Sequence, residues 1–141
     1  MSQENVDVVR RMNEAFDRVA KGDFGALEEA LAQLDPAIVW YGTVGGVDEQ
    51  RVARGYEELM RAFADNFGTW ESLTLETEDY IDAGGDHVVV LWHEIARSRH
   101  SQEEMETRTG VVYRLRDGKV VEARGYMNRD DALEAAGLSS G

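Results

Sequence analysis

The chain of 141 residues has no cysteine, one proline and three histidines. Without cysteine there is no disulfide, no thiolate nucleophile and no zinc–thiolate site, so any metal would depend on histidine and carboxylate. His87, His93 and His100 show no HxH, HxxxH or HExxH spacing, and we expect no metal and no cofactor. GxGxxG, P-loop and GxSxG patterns are missing as well, and Gly42 to Gly46 (GTVGG) lacks the lysine and the strand-to-helix setting of a phosphate cradle. No apolar run approaches the roughly 18 to 20 residues that cross a bilayer, and Met1 to Phe16 is charged and amphipathic, so a cytoplasmic protein with no membrane partner is expected. Basic residues are scarce, 15 against 28 acids. The formal charge of -13 repels phosphate backbones and argues against a nucleic-acid partner.

What is present is an ordinary globular balance, 43% hydrophobic and 30% charged. The length suits a single domain, residues 1–141, that buries about two-thirds of its unfolded surface. Val8, Val9, Met12, Ala15, Phe16, Val19 and Ala20 recur at spacings of three and four, which predicts a first helix capped by Ser2 and ended by Lys21-Gly22. Asp23 is placed to cap a second, shorter helix with Leu27, Ala30, Leu31 and Leu34 inward, closed by Asp35-Pro36. Ala37 to Tyr41 (AIVWY) reads as a short strand and residues 42–53 as a mobile loop, the best candidate for a lid. A third helix is predicted from about Tyr56 to Phe67, with Gly68 just past its end. Segments 70–82, 86–99, 105–116 and 119–127 read as four antiparallel strands, followed by a helix from Arg129 to Ala136 capped by Asn128 or Asp130. The fold class is therefore α+β: a curved sheet packed on three helices from the N-terminal half, with a short C-terminal helix and an internal, partly polar pocket.

The two-residue Asp117-Gly118 turn sets a register in which Leu115 faces Val120, Tyr113 faces Glu122, Val111 faces Arg124 and Thr109 faces Tyr126. One face then carries Leu115, Val120, Tyr113, Val111 and Tyr126 together with Glu122 and Arg124. Charges on a core-facing surface must pair or meet a wet cavity, which makes Glu122 and Arg124 candidate catalytic residues with Tyr113 beside them. The opposite face, with Val112, Val121, Ala123, Gly125 and Met127, is apolar enough to expect a partner, most simply a second copy of the chain. Strand 87–97 is apolar almost throughout, so either Trp92 and Glu94 or His93 and Leu91 point inward. His93, if inward, is a candidate proton carrier. Phe16, Trp40, Tyr41, Tyr56, Trp92 and Tyr126 are the candidate substrate-lining aromatics.

The order of these elements, and the stretches Asn5 to Phe16 (NVDVVRRMNEAF), Lys21 to Phe24 (KGDF), Asp35 to Trp40 (DPAIVW), Arg54-Gly55, Arg114 to Val121 (RLRDGKVV) and Arg129 to Leu138 (RDDALEAAGL), resemble the SnoaL-like branch of the nuclear-transport-factor-2-like superfamily. The resemblance implies a cone-shaped α+β barrel, a pocket between sheet and helices, and a homodimer through the outer sheet face. It spans polyketide cyclases, steroid isomerases, epoxide hydrolases, dehydratases and non-catalytic binders, so fold alone does not set the reaction. Among the steroid isomerases it implies a Tyr donor, here Tyr41 or Tyr56, and a carboxylate base, here Glu122. Among the epoxide hydrolases it implies an Asp–Arg–Asp set, for which Glu122, Arg124 and Glu94 are the nearest residue types. The expected activity is cofactor-independent acid–base catalysis on a small hydrophobic oxygenated molecule, with Glu122 as base, His93 or Tyr113 as donor and Arg124 stabilising charge. The alternative is a dimer that binds or senses such a molecule without chemistry.

Overall fold

The computed structural model describes residues 2–46 and 48–138. Helix α1 (Ser2–Ala20) buries Val6, Val9, Met12 and Ala15 along one stripe, as the periodicity requires. Helix α2 (Ala26–Ala32) starts later than Asp23 would set it. Gly25 holds the cap position without a side-chain bond, and Asp23 supplies only its carbonyl, which accepts from the Ala26 N–H at 3.1 Å. Strand β1 (Leu34–Val44) is longer than AIVWY because its register breaks between Leu34 and Val39, and that irregularity accommodates Pro36 inside a strand. A short β2 (Val52–Arg54) then precedes α3 (Gly55–Thr69), which continues through Gly68. Strands β3 (Trp70–Gly84), β4 (His87–Ser98), β5 (Glu104–Arg116) and β6 (Lys119–Tyr126) form the expected meander. Helix α4 (Arg129–Ala135) is capped by Asn128, whose Oδ1 accepts from the Asp130 N–H at 2.8 Å.

The six strands lie in the order β2-β1-β6-β5-β4-β3, with β1 parallel to β6 and every other pair antiparallel. This mixed sheet curls into the α+β cone. Its concave side meets helices α1 to α3 around Val9, Met12, Ile38, Leu59, Val88, Val90 and Tyr113. Its outer side carries α4, with Ala132 against Val89 and Leu91. The two strips of β4, even-numbered residues in and odd-numbered out, explain why 87–97 reads as apolar at nearly every position: both faces are covered.

The hairpin register differs from the simple one at a single point. Leu115 faces Val120 as expected, but the next pair is Arg114 with Glu122, then Tyr113 with Ala123, Val112 with Arg124 and Gly110 with Tyr126. Val121 is an extra residue, a β-bulge that inverts the phase of β6 beyond it. Glu122, Arg124 and Tyr126 therefore stand on the outer face, and Ala123 belongs to the interior, where it is fully buried. Leaving the two charges in the unbulged phase would have placed them against Tyr113 and Val111, at a desolvation cost that one looped-out residue avoids.

Two glycines are required by close approach. A Cβ on Gly110 would lie 2.7 Å from the Cβ of Ala132, so α4 can rest on β5 only where β5 has no side chain. Gly110→Ala should lower stability by about 1–3 kcal/mol, since the obstructing atom is on a rigid residue; urea unfolding measures this. A Cβ on Gly42 would fall 1.8 Å from the Asp48 carbonyl oxygen. The segment expected to be a mobile lid is in fact folded back on β1, with the Gly42 N–H donating to the Arg51 carbonyl at 2.8 Å and the Arg51 N–H to the Asp48 carbonyl at 2.9 Å.

Candidate functional site

On the concave face the strands build layers of cross-strand neighbours. Val88 pairs with Tyr113, Val90 with Tyr80 and Val111, Trp92 with Thr77 and Thr109, and Glu94 with Leu75 and Thr107. No register shift interrupts β4 against β5, so Glu94 shares the face of Trp92. Of the two inward sets open for this strand, Trp92 with Glu94 is the one that forms.

The inner layers are closed by rings. Trp40 meets Phe63 edge-on at 5.2 Å and Tyr113 at 5.8 Å, and Phe16 meets Phe63 at 5.2 Å. Phe16, Trp40, Tyr113 and Trp92 thus share one apolar cluster. Burial, and secondarily the nearby Tyr80, push the Tyr113 phenol far above its ordinary range, so it is a neutral donor and not a base. Tyr56 packs at the cluster edge and donates its hydroxyl to the Leu34 carbonyl at 2.7 Å and the Leu31 carbonyl at 3.3 Å, which fastens α3 to the α2–β1 corner.

Glu94 is half-buried at the last of these layers. Burial first, and then the negative charge of Asp48 on the folded-back loop, raise its pKa above the usual glutamate value. Beside this layer, α1 and β3 enclose a groove of about 430 Å³. Thr74, Leu75, Glu76 and Thr77 form its strand wall, with Tyr80 further along, and α1 lines it from Asn13, Glu14 and Asp17 to its end at Ala20, with Lys21 just beyond. Asn13 is only 8% exposed, and its Nδ2 is buried with no hydrogen-bond partner among the described residues. The indole Nε1 of Trp92, the cross-strand neighbour of Thr77, is buried and unpartnered in the same sense. Asn13 was legible as an anomaly, because it occupies a stripe position, four residues after Val9 and three before Phe16, where an apolar side chain is the rule.

The remaining candidates lie on the outer face. Arg114 Nη2 donates to Glu122 Oε2 at 3.2 Å, and the Arg124 guanidinium sits 4.0 Å over the Tyr41 ring. Arg114, Glu122 and Arg124, with His87 and Tyr126, surround a small cleft of about 110 Å³. His93 is also outside, with its Nε2 2.6 Å from Glu106 and its Nδ1 3.5 Å from Glu76. Nearby, Glu78 is held below the ordinary carboxylate range chiefly by its hydrogen bond from Arg129, with the Arg129 and Arg108 charges adding to it. Arg129 also donates to the Trp92 carbonyl at 3.2 Å, so this network pins α4 to the sheet. Among the described residues no three His, Asp or Glu side chains gather as metal ligands.

This arrangement has a counterpart among known families, since the SnoaL-like domain matches residues 9–123. The chain belongs to the SnoaL-like family. The match takes in Asn13, Asp48 and Glu94 and ends at Ala123, before α4. Several solved structures share the fold of this SnoaL-like chain. A nuclear-transport-factor-2-like protein from Burkholderia thailandensis is 23% identical with a TM-score of 0.75, over 93% of this chain and 95% of that one. A candidate SnoaL-like polyketide cyclase from a Jannaschia species is 19% identical with a TM-score of 0.72, over 100% and 95%. TerC, co-crystallised with polyporic acid, is 17% identical with a TM-score of 0.71, over 95% and 98%. No curated protein matches the SnoaL-like chain. Among the described residues no helix is long and apolar enough to cross a membrane.

Proposed function

We propose that this SnoaL-like chain is a cofactor-independent acid–base enzyme acting on a small hydrophobic oxygenated molecule, with Glu94 as the group that carries the proton. The observation that carries the reading is the environment of Glu94. It is an inward-facing, half-buried carboxylate whose cross-strand neighbour Leu75 lines the groove, and burial and Asp48 raise its pKa above the usual glutamate value. A raised pKa makes the carboxylate a stronger base than an ordinary glutamate for removing a proton and keeps that proton available to be returned, as isomerisation and aldol-type cyclisation both require. Relatives support the class of substrate, since one of the same fold carries a polyketide-cyclase name and another was crystallised with polyporic acid. Glu122, Arg124 and His93 take no part in this reading, because their side chains face away from that layer.

The test is α-proton exchange of methyl naphthyl ketone in heavy water, followed by proton NMR. Exchange well above the buffer rate is the expected result. A rate equal to buffer across about pH 5 to 9 would sink the proposal.

The same proposal has the chain pairing with a second copy, but through less of the outer face than periodicity suggested, since α4 covers Val89 and Leu91. The part left to a partner holds Tyr41, Arg114, Glu122 and Arg124, whose opposite charges can face each other across a two-fold axis. Arg124→Glu should then sediment as monomer where the parent is a dimer. A monomeric parent, or a dimer that survives the change, removes this interface.

A further inference from the structure

Two buried N–H donors have no partner among the described residues: Nδ2 of Asn13, on the groove's wall, and Nε1 of Trp92, on the strand next to it. Burying a donor unpaired typically costs about 1–3 kcal/mol, so a folded chain that keeps one at a groove wall holds it ready for an acceptor. Asn13 is on the helix wall itself, and Trp92 lies one strand behind the wall at Thr77. The acidic side chains on that helix wall restrict the acceptor further. Glu14 is exposed, Asp17 has Lys21 Nζ at 2.8 Å, and Arg10, whose guanidinium lies 4.9 Å over the Tyr80 ring, has Asp7 at 3.6 Å, so both of these cations beside the groove already have carboxylate partners. An anionic ligand would meet these carboxylates without a free partner. Leu75, 38% exposed, supplies an apolar contact on the strand side, and the volume of about 430 Å³ lies within the range of small-molecule sites.

We infer that the groove between α1 and β3 binds an uncharged molecule through a carbonyl-type acceptor oxygen, with the Asn13 amide as the donor that selects it. This deepens the reading of the cone as a small-molecule enzyme and rests on it for the ligand's role, but its test reads binding and not turnover. Loss of exchange with binding intact would remove the chemistry alone. Loss of binding selectivity with exchange intact would remove the Asn13 assignment alone.

Three probes of nearly one shape separate the possibilities: methyl naphthyl ketone, isopropenylnaphthalene, which replaces the oxygen by a methylene, and naphthoate, which adds a charge. Each is titrated into the full chain, with amide NMR shifts along α1 and β3 as the readout. The ketone should bind about tenfold more tightly than the hydrocarbon, the equivalent of one hydrogen bond to an otherwise unpaired donor, and naphthoate should bind more weakly than the ketone. Asn13→Leu should bring the ketone down to the hydrocarbon's affinity and leave the hydrocarbon where it was. The variant should also melt no lower than the parent, because it removes an unpaired buried donor; a purely structural asparagine predicts a clear drop. Equal binding of ketone and hydrocarbon by the parent chain, preference for naphthoate, no shifts in α1 and β3, or an Asn13→Leu variant that keeps the ketone preference would each overturn the inference.

Discussion

Proton exchange by Glu94→Gln should fall by about 100- to 10,000-fold, the range that one positioned acid–base group contributes. The amide keeps the shape and burial of the carboxyl but cannot take a proton, so probe binding should be unchanged. The pH profile supplies a second, independent signature. The base is active when deprotonated, and burial plus the Asp48 charge raise its pKa, so the rising limb of activity should lie at higher pH than for an ordinary glutamate. Asp48→Asn removes the secondary cause and should move that limb toward lower pH without abolishing turnover. Stability follows with a defined sign. A carboxyl whose folded pKa is raised binds protons more readily folded than unfolded, so its contribution is present at low pH and is lost as pH rises through the folded value. Glu94→Gln should remove that slope. A variant with full activity, or a limb that ignores Asp48, would transfer the chemistry elsewhere in the cone.

Trp40→Ala should lower unfolding free energy by about 3–5 kcal/mol, a large share of the 5–15 kcal/mol that a domain usually has. The partly buried indole meets Phe63 and Tyr113 edge-on and packs against the buried core, so its removal strips both ring contacts and leaves a void beside Tyr113. Urea unfolding with an unchanged dependence on denaturant would show that the loss is in the native state. A loss near 1 kcal/mol would mean that the ring borders open space, and would return Trp40 to the substrate-lining role first expected of it.

Most of the architecture was legible because it rests on periodicity. The α1 stripe, the meander and the Asn128 cap each depend on residues within a few positions of one another. The site was less legible, and a single residue accounts for most of the error. Alternation carried back from Asp117-Gly118 is right as far as Leu115 and Val120, then wrong for every later residue of β6, because Val121 is looped out. Nothing in the local sequence marks it, since valine suits either phase. The reason lies in the neighbours: β6 also pairs with β1, where Trp40 needs the small Ala123 beside it and Tyr41 offers its ring to Arg124. For β4 the alternation was sound and only the choice of face was open. The decision came from α4, which covers Val89 and Leu91 and leaves His93 outside. Asn13 was visible as a flaw in a stripe, but only the groove beside it gives the flaw a meaning.

The parallel pairing of β1 with β6 has a consequence for how the protein is made. Trp40 finds its sheet neighbour in Ala123, beyond α3 and the three strands β3 to β5, so the early strand stays open along one edge until β6 has been synthesised. Contacts this distant in sequence slow the search for the native state, and an unpaired strand edge invites pairing with another nascent copy meanwhile. Charge offers protection here: the 28 acidic side chains repel neighbouring chains during the interval in which β1 has nothing to pair with.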